Sequence, residues 1–93
     1  MDKYRLRRAI LDALKDLEPG ACSLDELALF PTLAQAGATR EAVLDEARGL
    51  EAHAFITDLS PTRAPVWRLT AAGRDQITQD ARLDRYVWGT LAL

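Results

Sequence analysis

Residues 67–77 read Trp67-Arg68-Leu69-Thr70-Ala71-Ala72-Gly73-Arg74-Asp75-Gln76-Ile77, a strand that ends on a helix cap and runs straight into a helix. Trp67 and Leu69 lie two apart, so on a strand they share one face and Arg68 takes the other. Thr70 suits an N-cap, because its hydroxyl accepts a bond from a first-turn amide that has no partner within the helix. Ala71 then opens the helix.

A strand at Val66–Leu69 needs a neighbour. Phe55-Ile56-Thr57-Asp58-Leu59 supplies it, and Ser60-Pro61-Thr62-Arg63-Ala64-Pro65 is the turn-rich loop between them, giving a hairpin over about 55–69. Further upstream, Thr39 caps a helix expected over about 40–52. Val43, Leu44, Ala47 and Leu50 form its buried stripe, while Arg40, Glu41, Asp45, Arg48 and Ala52 face away. Ser23-Leu24-Asp25-Glu26 has the form of a capping box, with Cys22 and Leu27 at the staple positions. The helix it opens, about 24–30, ends or kinks at Phe30 because Pro31 lacks an amide proton and disfavours helix before it. Thr32–Ala36 then makes a second short turn of helix. The first helix is expected over about 3–17, with Leu6, Ile10, Leu14 and Leu17 in one stripe and Leu11 beside it. Glu18-Pro19-Gly20 stops it, and Ala21-Cys22 suits a very short strand. Downstream, a last helix is expected from Ala71 to about Trp88, ended by Gly89.

Composition agrees with a single domain over 1–93. Ala and Leu supply about a third of the residues, which favours helix. Cys22 is the only cysteine, so an intrachain disulfide is excluded and the reducing cytoplasm is the expected compartment. No apolar run approaches the roughly 20 residues of a membrane span. The basic N-terminal residues lead into Asp12, Lys15 and Asp16 rather than an apolar stretch, so no signal peptide is expected.

The order helix, short strand, helix, helix, hairpin, helix resembles the winged helix-turn-helix domains of many small bacterial transcription regulators. Two stretches carry the resemblance. Leu50-Glu51-Ala52-His53-Ala54-Phe55-Ile56 is similar to the family's Leu-x-x-x-Gly-(aromatic or aliphatic)-Ile, and Trp67-Arg68-Leu69-Thr70-Ala71-Ala72-Gly73 to its Tyr-x-Leu-Thr-x-x-Gly. Ser23-Leu24-Asp25-Glu26-Leu27 matches the usual opening of the second helix. The resemblance covers about residues 4–80. It implies a mainly α fold with a small β-hairpin: a three-helix core, a wing, and an additional C-terminal helix. It also implies binding to double-stranded DNA, with helix 40–52 as the recognition helix. Three features depart from the pattern. Ala54 stands where the family usually has a glycine, Pro31 lengthens the segment between the second and third helices, and helix 40–52 is acidic.

Charge by segment quantifies that last departure. Residues 36–53 hold Arg40 and Arg48 against Glu41, Asp45, Glu46 and Glu51. Residues 1–17 carry a net +2 and the hairpin region 54–69 a net +1, within a whole chain of −2. Duplex DNA repels carboxylates on a reading helix. The candidate DNA contacts are Thr39, Arg40, Arg48, Arg63 and Arg68, with Arg63 at the wing tip between two prolines. An i, i+3 pair between Asp45 and Arg48 is the competing role for Arg48. Arg5, Arg7 and Arg8 form a second basic cluster, with Asp12 placed to pair with Arg8.

Chemistry beyond binding finds little footing. His53 and Cys22 are each the only residue of their type, and neither has a sequence neighbour that would complete a metal site or a nucleophile and base pair. His53 is expected as a polar cap at a helix C-terminus and Cys22 as a buried staple. No catalytic residue, metal or cofactor is expected. Leu83, Tyr86, Val87, Trp88 and Leu91 form an apolar C-terminal run. They are expected either to pack back on the first helix or to form a homodimer interface. Two functions follow: a DNA-binding transcriptional regulator, or a winged-helix module that binds a protein partner through acidic helix 40–52 and does not bind DNA.

Overall fold

The computed structural model describes residues 2–60, 64–80 and 82–91 of the chain. It is mainly helical, with a small three-stranded antiparallel sheet. Helix α1 spans Lys3–Asp16 and starts where the Asp2 carboxylate accepts the Arg5 amide at 2.9 Å. Leu6, Ile10, Leu11 and Leu14 are buried along it. Leu17, expected in the same stripe, caps the helix and is exposed.

Strand β1 (Cys22–Ser23) leads directly into α2 (Leu24–Ala28). The Ser23 hydroxyl accepts the Glu26 amide at 3.2 Å and donates to the Glu26 carboxylate at 2.9 Å. The cap is therefore built, but Glu26 turns to the hydroxyl of Ser23. Pro31 acts as its chemistry dictates: α2 stops before it, Phe30 is extended, and α3 (Pro31–Gln35) begins on the proline itself. A proline there forfeits only an amide that has no helical partner. Helix α4 spans Arg40–Ala52, with Thr39 accepting the Ala42 amide at 3.0 Å. Val43, Ala47 and Leu50 are fully buried.

The end of α4 explains the missing glycine. Ala54 adopts φ 64°, in the left-handed region. The Ala54 amide donates to the Glu51 carbonyl and the Phe55 amide to the Leu50 carbonyl, both at 3.0 Å. These two bonds are the Schellman closure that satisfies the last carbonyls of a helix. The geometry that usually calls for glycine is present, and alanine occupies it.

Strands β2 (Ile56–Asp58) and β3 (Val66–Leu69) form the hairpin, and the sheet order is β1-β3-β2. The register places Trp67 between Cys22 and Asp58. Trp67 and Leu69 are buried and Arg68 is exposed, with β3 packed on α1. Thr70 caps α5 (Ala71–Thr78), accepting the Gly73 amide at 3.1 Å and donating its own proton to the Ala54 carbonyl at 2.7 Å. One residue thus ties the end of α4 to the start of α5. Gly73 is required by that closeness, because a Cβ at its position would lie 2.0 Å from the Phe55 carbonyl oxygen.

The expected single helix over 71–88 is divided. Helix α5 ends at Thr78, where Gln79 turns to φ 60°. A second helix, α6 (Arg85–Trp88), begins at an Asp84 cap and leads into a 3-10 turn over Gly89–Leu91. Gln76 holds the joint. Its side-chain amide donates to the Arg82 carbonyl at 3.0 Å, its side-chain oxygen accepts the Asp84 amide at 2.6 Å, and its carbonyl accepts the Trp88 indole at 3.1 Å. The chain doubles back so that α6 packs on α1. Among the described residues, no helix is long and apolar enough to cross a membrane.

Candidate functional site

Helix α4 is held from two sides, and the candidate contact residues are distributed around it. On the hairpin side, Arg48 donates to Glu51 at 2.8 Å and to Asp58 at 3.0 Å. Glu51 also accepts the Trp67 indole at 3.1 Å. The other Asp58 oxygen accepts the Ser60 amide at 2.8 Å. That amide, followed by Arg48, holds the Asp58 carboxyl below the usual carboxylate range against the opposing effect of burial. The expected Asp45–Arg48 pair is replaced by these contacts. Arg48 therefore joins α4 to β2 and is anchored at the hairpin mouth.

On the opposite side, α6 lies against α4 and α1. The Arg7 guanidinium, on a side chain only 10% exposed, donates to Glu46 at 2.7 Å and to the Tyr86 carbonyl at 2.8 Å. It sits 3.6 Å from the centroid of the Tyr86 ring. His53 stacks 3.9 Å from the same ring. Tyr86 is thus sandwiched, and burial pushes its hydroxyl pKa up. Its tip fills the space over Gly49, where a Cβ would come within 1.6 Å of the hydroxyl oxygen. His53 takes the capping position expected of it, with Nδ1 2.9 Å from the Gly49 carbonyl, which accepts when the proton is on Nδ1.

The candidate DNA contacts do not converge on one surface. Thr39 and Arg40 stand together at the start of α4. The Thr39 hydroxyl is occupied as a cap, and Arg40 pairs with Asp25 at 2.8 Å with side chains 60% and 76% exposed. Arg48 lines an open cleft of about 510 Å³ with Thr57 and Asp58. Arg68 lines a separate one of about 410 Å³ with Glu18 and Arg74, where the Arg74–Glu18 bond holds the Glu18 carboxyl down. Arg63 lies outside the described residues.

The C-terminal apolar run is largely turned inward. Val87 is fully buried, Tyr86 and Trp88 pack against the core, and Leu83 is half-buried. Trp88 lies under the Arg8 guanidinium at 4.8 Å, and Arg8 donates to the Val87 carbonyl at 3.2 Å. Of the two expected roles, packing back on α1 is the arrangement present, and a dimer through Val87 would require α6 to lift. The side chain of Leu91 lies outside what is described. Arg7 also departs from expectation, because it is buried and paired instead of facing solvent with Arg5.

Arg7, Glu46, Asp58 and Gln76 organise the site, and the sequence reading assigned none of them that role. Arg7 and Glu46 are 39 residues apart, so no local pattern reports the pair. Asp84 alone carried a readable signal, as a capping residue. Every buried side-chain nitrogen and oxygen among the described residues has a hydrogen-bond partner. Among the same residues, no group of His, Cys, Asp and Glu is arranged to hold a metal ion. No family model, curated protein or solved structure matches the chain.

Proposed function

We propose that the protein is a small winged-helix DNA-binding regulator of the reducing cytoplasm, with α4 as its reading helix and the β2–β3 hairpin as its wing. The observation that carries the reading is the sheet order β1-β3-β2 with α4 running directly into the hairpin. The element order, with a short strand between α1 and α2, is the one on which the resemblance rests. Arg40 and Thr39 at the start of α4 and Arg68 on the outward face of β3 are the assigned contacts. Arg40 is available despite its partner, because an exposed pair of this kind is worth under about 1 kcal/mol and a phosphate can replace the carboxylate. Arg48 has a positioning role in this reading, fixing α4 relative to the wing through Asp58.

A second reading rests on a different observation. Both arginines of α4 are engaged by carboxylates, while Glu41 and Asp45 stand exposed on the same helix. That charge pattern favours a protein partner with a basic surface, in a module that leaves DNA alone. Titration of labelled mixed-sequence duplex DNA over a salt series separates the two. Binding at low salt that weakens steeply as salt rises supports the regulator, and no binding at about 50 mM salt leaves the protein-partner reading.

A further inference from the structure

We infer that the cleft between α1 and α3 carries the phosphate backbone of bound duplex DNA, alongside the start of α4. This rests on the DNA-binding reading and adds a second contact surface to it. The cleft is open, about 490 Å³, and is lined by Arg5, Arg8, Asp12, Thr32, Gln35 and Ala36 among others. Its two arginines are free of carboxylates, as are Arg68, Arg82 and Arg85 among the described residues, but only here do two such arginines line one cleft. Arg7, Arg40, Arg48 and Arg74 each lie within 4 Å of a carboxylate. Among the described residues, Arg5 and Arg8 have no such partner, and the expected Arg8–Asp12 pair is not made.

The donors are also presented in two useful ways. Arg8 is fixed by its bond to the Val87 carbonyl and by the Trp88 ring, which leaves further guanidinium protons for a ligand. Arg5 is exposed, and its side chain makes no hydrogen bond among the described residues, as is true of Thr32 and Gln35. The groove is therefore lined by the unengaged side chains of Arg5, Thr32 and Gln35 and by an Arg8 guanidinium that is only partly engaged. Asp12 is the opposing charge in the lining.

Position links this cleft to α4. Ala36 closes one end of the cleft and Arg40 begins α4. Three residues of chain separate them, a span over four Cα–Cα steps of at most about 14 Å. The α3 wall of the cleft therefore lies close to the start of α4. The positive charge that α4 lacks is supplied by the helix behind it.

The test is anisotropy of a labelled mixed-sequence duplex with the full chain over a salt series. Arg5→Ala is expected to weaken binding equally across sequences and to reduce the salt slope by about 1. Arg5→Glu and, from the α3 wall, Gln35→Glu are expected to weaken it by about tenfold. Asp12→Asn is expected to strengthen it, so opposite signs arise from one groove, which a general loss of folding does not produce. Thermal melts of all four variants check the fold. Wild-type binding that Arg5→Glu and Gln35→Glu leave unchanged overturns this inference and spares the DNA reading. Absence of wild-type binding at about 50 mM salt overturns both.

Discussion

The two sides of α4 are each joined to the rest of the chain by an arginine, and the two arginines work under different conditions. Arg7 reaches α4 from α1 through a side chain 10% exposed, meeting a Glu46 that is 19% exposed, with Tyr86 laid over it. Arg48 leaves α4 for the hairpin through a side chain 46% exposed, meeting an Asp58 only 7% exposed that the Ser60 amide also holds. The hydrogen-bond lengths differ little. Removing a charge from a dry site strands its partner, whereas water replaces a lost partner at a wet one. The side of α4 facing α1 and α6 is therefore expected to be structural and the hairpin side, where the Ser60 amide still holds Asp58, adjustable.

Substitutions test that contrast directly. Arg7→Met keeps the apolar stem but leaves Glu46 and the Tyr86 carbonyl unpartnered, and is expected to cost about 3 kcal/mol in urea unfolding. Gly49→Ala acts on the same side. Its methyl group displaces a Tyr86 ring that Arg7 and His53 confine, and a net loss of about 2 kcal/mol is expected even after the better helix propensity of alanine. Ala54→Gly acts at the end of α4, where the two sides meet. It relieves an L-residue in the left-handed region, and an exposed position forfeits no packing. A gain of about 1 kcal/mol is expected. Arg48→Met on the hairpin side is expected to cost about 1 kcal/mol, less than Arg7→Met because the Ser60 amide still satisfies the buried Asp58. Equal losses for Arg7→Met and Arg48→Met would break the comparison, because burial would then not distinguish the two sides.

Much of the architecture was readable because its causes are local. Thr70, Thr39 and Ser23 cap their helices through bonds that span three residues, and Pro31 breaks the chain through its own ring. Trp67 and Leu69 alternate with Arg68 as the strand period requires. What escaped reading depends on distant partners. Arg7 belongs to a basic cluster by sequence and to the core only because Glu46 and Tyr86 meet it there. The division of the last helix rests on Gln79 adopting a conformation that glutamine does not favour, held by the reach of Gln76 across the joint. The candidate contacts were legible as residue types, but their dispersal around α4 was not, since ion pairs with Asp25, Glu51 and Asp58 decide which arginines are free.

The Cys22 thiol, set in the short strand that completes the sheet, gives the molecule a built-in clock. Burial, followed by the nearby Glu26 charge, pushes its pKa up to about 11. Only the thiolate reacts with an alkylating reagent, so at pH 8 the folded chain is protected both by exclusion and by protonation. Labelling must then wait for β1 to separate from β3. With excess reagent, the modification rate at Cys22 reports how often the sheet opens. An Arg7→Met chain that labels faster in step with its lost stability would show that the sheet opens only when the whole domain does.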